Sequence, residues 1–122
     1  MINGLRYTKT GIPCFNKIAR EHTSYLLALK KNGVQVHLLP ASELWPDSLF
    51  VEDPALVFPQ GAIVLRSIRA ERAGERDLIE PVLRSKFAKV LEIDNGYVDG
   101  GDVLCTSDNV IIGLSSRTTQ EG

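Results

Sequence analysis

Two acidic stretches stand at equivalent places in the chain. Glu52-Asp53 heads one apolar run and Asp99-Gly100-Gly101-Asp102 heads another. Acids just ahead of strands are expensive if they are buried unpaired. Two such loops that converge would build a centre lined with carboxylates, and such a centre binds a cation. A planar guanidinium suits it best, because carboxylates accept its paired N–H groups. Gly100-Gly101 would let backbone come close to a ligand. Either loop alone reads as a turn, since Asp and Gly dominate turns; it is the recurrence that favours a site. A hard metal ion is the other occupant carboxylates can hold, but the spacing matches no EF-hand loop, and no metal is expected. Arg72 precedes a helix, and Arg117 follows a strand end in Gly113-Leu114-Ser115-Ser116-Arg117-Thr118. Each could clamp a substrate carboxylate or sit in solvent.

A nucleophile with its base is harder to find. The histidines are His22, within a helical stripe, and His37, within an apolar run. Cys105 lies mid-strand and reads as a small apolar core residue. Cys14 lies in a loop with nothing nearby in sequence to lower its pKa. Two cysteines this far apart in sequence suggest neither a zinc site nor a disulfide framework.

Several elements must position these residues. Residues 1–13 lack a period and carry turn residues at Gly4, Gly11 and Pro13. Ile18, Ala19, His22, Tyr25, Leu26 and Leu29 then fall on one helix face. Lys30 and Lys31 with Gly33 mark its C-terminal stop. Val34 to Leu39 reads as a strand, and Pro40 to Ser48 as a loop containing Trp45-Pro46-Asp47. Ala55 to Phe58 and Ala62 to Arg66 form a hairpin around Pro59-Gln60-Gly61. Gly74 to Lys89 reads as a helix burying Leu78, Ile79, Val82, Leu83 and Phe87, with Pro81 a complication unless the helix starts near Asp77. Val90 to Ile93 is a strand. Val103 to Thr106 and Val110 to Leu114 make a second hairpin around Ser107-Asp108-Asn109.

These elements repeat. Phe50-Val51-Glu52 matches Tyr97-Val98-Asp99 at an offset of 47, and Ile63-Val64-Leu65 matches Val110-Ile111-Ile112 at the same offset. The unit is acidic loop, hairpin, helix, strand, and self-similarity at this period suggests stacked supersecondary modules. The first helix and strand fit the tail of an earlier copy. The last hairpin belongs to a copy whose helix is just beginning, because Thr118-Thr119-Gln120-Glu121 has a capping-box pattern. The sequence therefore reads as a truncated chain.

The 122 residues are enough for one domain with a core. An apolar share of 43% and a charged share of 24% are those of a folded globular protein and argue against disorder. The net charge is −1, and the run Arg66, Arg69, Arg72, Arg76 is too short to be a nucleic-acid footprint. No apolar run is long enough to span a bilayer. Residues 1–9 lack the apolar core of a signal peptide, so a cytoplasmic location and no membrane partner are expected.

Trp45-Pro46-Asp47-Ser48-Leu49-Phe50-Val51-Glu52-Asp53, Asp99-Gly100-Gly101-Asp102-Val103-Leu104 and Gly113-Leu114-Ser115-Ser116-Arg117-Thr118 together resemble three motifs of the dimethylarginine dimethylaminohydrolases. Weaker similarity runs from about Gly11 onward. Arginine deiminases and amidinotransferases are similar more distantly. The resemblance implies an α/β pentein, a five-fold pseudosymmetric propeller of ββαβ modules, of which this chain would hold two to three with mixed sheets. Residues 1–122 would be a single domain, the incomplete N-terminal portion of that propeller. It implies a hydrolase that converts methylarginine and water to citrulline and a methylamine, through attack of a cysteine on the guanidinium carbon. A histidine would shuttle protons.

Carried over by motif, Asp53 would bind the guanidinium nitrogens, with Asp47 and Glu52 lining the site. Arg117 would bind the substrate α-carboxylate, and Arg72 would do the same on spacing more than on motif, since Ala73 follows it. Asp99 would orient the histidine. The family's histidine lies past the segment of Arg117 and its cysteine lies later still; His22, His37, Cys14 and Cys105 do not occupy those places. The resemblance thus implies a substrate-holding half, inactive by itself, with no cofactor and with arginine or a methylated arginine as its small-molecule partner. The alternatives are a non-catalytic guanidino-binding or self-associating half-propeller, with a homo-oligomer as one outcome, an arginine deiminase or amidinotransferase relative, and a carboxylate-lined metal-binding protein.

Overall fold

The computed structural model describes residues 11–122. The irregular reading of the first ten residues lies outside them.

Helix α1 spans Phe15–Lys31. Ile18, His22, Leu26 and Leu29 are half-buried along one stripe, while Ala19 and Tyr25, expected on the same face, are exposed. The helix stops as its sequence dictates. Gly33 takes φ 80°, and Val34 N–H reaches Leu29 O at 3.1 Å while Gly33 N–H reaches Lys30 O at 3.0 Å. This is a Schellman closure, which needs a residue tolerant of left-handed φ. The strand expected over Val34–Leu39 does not form. An extended segment becomes a strand only through a ladder, and residues 34–39 pair with no strand among the described residues.

The core lies in the middle of the chain. Strands β1 (Ala55–Phe58) and β2 (Gly61–Val64) form an antiparallel hairpin, with Ala55 opposite Val64 and Phe58 opposite Gly61. Helix α2 (Glu75–Lys86) crosses over and returns the chain to β3 (Val90–Glu92), which pairs parallel with β2. Ala55, Ala62, Val64 and Leu83 are buried, and Ile79, Phe87 and Val90 pack against them. Leu78, expected in this face, is exposed, because four-residue strands seat only a narrow stripe of helix. The helix starts at Glu75 rather than near Asp77, so Pro81 stays inside it. Gly61 is fixed by crowding: a Cβ there would collide with Lys89 O.

Strands β4 (Val103–Cys105) and β5 (Val110–Ile112) form a second antiparallel hairpin. Each strand ends one or two residues earlier than its apolar run. Ala55 pairs with Val64 and Val103 with Ile112, so the second hairpin follows the first by 48 positions, one more than the 47 of the acidic loops. No helix follows β5 among the described residues; residues 120–121 form a turn. Thr118, read as a cap, is buried, and its hydroxyl donates to Asp102 and accepts from Asp99 N–H. The hydroxyl thus ties together the two acids that flank Gly100-Gly101. Among the described residues no helix is long and apolar enough to cross a membrane. The architecture is mixed α/β with small sheets.

Candidate functional site

The two acidic loops do meet. Residues 45–53 wind through successive turns, with Ser48 N–H on Trp45 O, Phe50 N–H on Asp47 O and Asp53 N–H on Phe50 O. This places Asp53 beside the hairpin just before β1. The second loop zips onto it: Val98 N–H reaches Arg66 O at 3.0 Å and Gly100 N–H reaches Asp53 O at 3.1 Å. Gly100 must be glycine here, because a Cβ would run into Glu52 O and Asp53. Asp99 Oδ1 accepts from Gly101 N–H at 3.0 Å, which closes the short 3-10 turn Gly100–Asp102.

A shallow, open recess lies where the loops join. Asp53, Arg72, Glu75 and Asp99 line its polar side, and Pro54, Leu65 and Val98 its apolar side. Arg72 ends a 3-10 turn (Ala70–Arg72) and Glu75 opens α2, so the two face each other three residues apart. Arg72 donates from Nε and Nη2 to both Glu75 oxygens, at 2.6–3.0 Å. Its Nη1 reaches Asp53 Oδ2 at 2.5 Å, and Nη2 also reaches Asp47 O at 3.4 Å. The Arg72 side chain is 10% exposed and that of Glu75 only 2%.

Burial works against the charge of Arg72, but hydrogen bonds and attraction from Glu75 and Asp53 outweigh it and hold the guanidinium protonated. Burial pushes the Glu75 carboxyl upward; Arg72 pulls it back, and the charges of Asp47 and Asp53 push it up again. The net direction is up.

A second cluster adjoins the first. Arg117 Nη1 lies 3.3 Å from Asp99 Oδ1 and Nη2 lies 3.2 Å from Asp102 Oδ1, with the arginine side chain 36% exposed. Asp102 Oδ2 accepts from Ser115 Oγ at 2.6 Å and from Thr118 Oγ1 at 2.7 Å. The Ser115 and Thr118 hydrogen bonds hold the Asp102 carboxyl below its usual range against the opposing effect of desolvation, and Arg117 adds to them. Gly101 links the clusters. A Cβ on it would sit 3.0 Å from Asp99 Oδ1, 3.7 Å from Arg117 Nη2 and 3.9 Å from Asp53 Oδ1. The Arg117 guanidinium and the carboxylates of Asp99 and Asp53 thus lie about the bare face of one glycine.

The chain matches the family profile described as N,N dimethylarginine dimethylhydrolase, eukaryotic, over residues 11–122. It belongs to the dimethylarginine dimethylaminohydrolase family. The Pseudomonas aeruginosa N(G),N(G)-dimethylarginine dimethylaminohydrolase is 37% identical over all of this chain and 49% of its own length. The Streptomyces coelicolor enzyme of the same name is 35% identical over 81% of this chain and 39% of its own. The chain thus spans about half the length, or less, of these relatives. A crystal structure of a dimethylarginine dimethylaminohydrolase adduct with S-methyl-L-thiocitrulline matches 99% of this chain and 48% of that one at TM-score 0.93 and 37% identity. The Pseudomonas aeruginosa enzyme complexed with citrulline matches equally well. The N-terminal domain of the arginine dihydrolase ArgZ, at 23% identity and TM-score 0.71, shares the fold.

Of the six residues singled out in the sequence, Asp53, Arg72 and Asp99 line the recess. Arg117 borders it through Asp99. Asp47 meets Arg72 through its carbonyl, and Glu52 is exposed, touching Gly100 only through its backbone. Two residues escaped the sequence reading. Glu75 in a helix's first turn looks like an ordinary dipole-complementing acid. Asp102 reads as part of the second acidic loop but with no role of its own. Cys14 and Cys105 are exposed free thiols, so Cys105 is not the core residue its place in a strand suggested: the β4–β5 hairpin leaves it uncovered. Among the described residues no group of three or more His, Cys, Asp and Glu is arranged to hold a metal ion.

Proposed function

We propose that this chain is the substrate-holding part of a hydrolase that acts on the guanidinium of arginine or a methylated arginine, built as the N-terminal portion of a pentein propeller. The observation that carries the reading is the meeting of the two acidic loops: Asp53, Arg72 and Asp99 line one recess, and Asp99, Arg117 and Asp53 lie about the bare face of Gly101 beside it. Asp53 offers Oδ1 to the substrate guanidinium, while Asp47 and Glu52 sit on the loop that frames it. Arg117 is the better placed of the two arginines for the α-carboxylate, since Arg72 is largely spent on Asp53 and Glu75. Asp99 orients a histidine that this sequence does not supply, and hydrolysis further needs a cysteine in a position that neither Cys14 nor Cys105 occupies. A cytoplasmic location belongs to the same reading.

The test is citrulline formation from dimethylarginine and from arginine, by these 122 residues and by the same residues joined to the remaining half of a family member. The reading expects none from the first and turnover from the second. An Asp53→Asn substitution in the joined protein should raise KM for the cation at least tenfold. Joined protein that folds and makes no citrulline from either substrate sinks the proposal.

A second reading has one observation in its favour. Leu104, Ile111 and Leu114 are 61%, 56% and 67% exposed around the β4–β5 hairpin. Apolar surface of this kind favours self-association of a non-catalytic half-propeller. Light scattering of the purified chain distinguishes a homo-oligomer from a monomer.

A further inference from the structure

The recess contains an imbalance that the roles above do not use. Asp53 is assigned to an incoming cation, yet it already faces the guanidinium of Arg72. Taken alone, that contact is a closed one-to-one ion pair with no charge left over. A closed pair gives a second guanidinium little electrostatic reason to enter. Glu75 changes the count. Its carboxylate is almost wholly buried, and both of its oxygens are bound by Arg72 through Nε and Nη2. Arg72 reaches Asp53 only with Nη1 and only at Oδ2. The planar fork is thus committed to the helix side, and Asp53 is held at its edge. Two carboxylates around one guanidinium leave one net negative charge. Since Glu75 is shielded, that charge is presented at Asp53 Oδ1, which lies near the bare face of Gly101.

We infer that Glu75 is a positioning residue: it neutralises Arg72 from the protein side, so that Asp53 stays electrically available to a guanidinium ligand. The inference rests on the proposed guanidino-binding reading and adds a residue to it. Glu75 acts through Arg72 and touches no ligand itself.

Two ligands with the same α-amino and α-carboxyl groups separate this role from simple scaffolding. Arginine carries a guanidinium, and citrulline carries an uncharged ureido group in its place. Affinity for both is measured by calorimetry on the wild-type chain and on Glu75→Gln, Arg72→Gln and the double variant, with folding checked by circular dichroism. Glu75→Gln should lower the arginine-to-citrulline affinity ratio about tenfold, the scale expected for removing one nearby charge. Arg72→Gln should raise the ratio, although loss of a polar partner weakens both ligands. The double variant again leaves one net charge on Asp53 and should return the ratio to within about threefold of wild type, the residual set by the lost hydrogen bonds. A purely structural role for Glu75 would weaken both ligands together and leave the ratio unmoved, which overturns the inference. So does a double variant that keeps the single variant's ratio. If Glu75→Gln does not fold, Arg72→Gln decides, and a ratio that stays or falls counts against the role. A wild-type chain that binds neither ligand overturns the underlying reading instead.

Discussion

Thr118→Val is the sharpest test of how the second acidic loop is held. The side chain is 1% exposed, and its hydroxyl has two partners. It donates to Asp102 Oδ2 at 2.7 Å and accepts from Asp99 N–H at 3.1 Å. Valine has nearly the same shape, so no cavity opens. What is lost is a hydrogen bond to an ionised group, worth roughly 1.5–3 kcal/mol, and the buried Asp99 N–H is left unpaired at a further cost of roughly 1–3 kcal/mol. The added methyl returns about 0.8 kcal/mol of burial. The net expectation is about 3 kcal/mol of destabilisation. With a urea m-value of about 2 kcal/mol/M, the unfolding midpoint falls by about 1.5 M. Thr118→Ser keeps both hydrogen bonds and should lose only about 1 kcal/mol, the burial of one methyl. Urea titration followed by circular dichroism gives both numbers. A Thr118→Val protein within about 0.5 kcal/mol of wild type, well below the value of a buried bond, would show that the hydroxyl does not hold the loop.

Further substitutions probe the neighbouring features. Gly101→Ala should fold with a stability change of less than about 1 kcal/mol, the scale of a glycine-to-alanine exchange, while arginine binding weakens about tenfold, because its methyl occupies the space between Asp99, Arg117 and Asp53. Gly100→Ala should instead unfold or displace the loop, since its methyl meets the Glu52–Asp53 backbone; proteolysis within residues 97–102 reads this out. Asp102 has a depressed folded-state pKa, so its contribution to stability is present above the ordinary aspartate range, near 4, and is lost as pH falls through the folded value. The Tm gap between wild type and Asp102→Asn should therefore narrow between pH 5 and pH 2, and a gap that widens with acid reverses the assigned sign. Pro81→Ala restores an N–H for the carbonyl of Asp77 within α2, and since Pro81 is exposed the Tm should rise, by about 1–2 kcal/mol of stability after allowing for the proline's restriction of the unfolded chain.

Local signals survived folding better than long-range ones. The period of Ile18, His22, Leu26 and Leu29 gave α1, and Gly33 with its two lysines gave its end, because a helix and its stop are decided within a few residues. The turn at Pro59-Gln60-Gly61 gave the first hairpin for the same reason. Val34–Leu39 failed because apolar alternation states only that a segment could pair, and pairing depends on a partner. Thr118-Thr119-Gln120-Glu121 reads locally as a cap, and its sequence gives no sign that the Thr118 hydroxyl also bonds Asp99 and Asp102, 19 and 16 residues away. Convergence of the acidic loops was legible from their recurrence. The detailed pairing was not. That Arg72 bonds Asp53 across 19 residues and leaves Glu75 buried is a consequence of where α2 docks on the sheet.

The one-position difference between the hairpins and the acidic loops bears on how the two loops fit together. Aligned by their strand pairs, 48 apart, Glu52 and Asp53 fall on Gly100 and Gly101. The first loop carries two acids where the second carries two residues with no side chain, and the acids of the second loop flank those glycines at Asp99 and Asp102. The copies meet at these positions, Gly100 on the backbone of Glu52 and Gly101 facing the carboxylate of Asp53. Acids at all four positions would set four carboxylates against one another in this space. Two acids facing two glycines instead let the loops close backbone to backbone, with the charge kept at the rim of the contact rather than inside it.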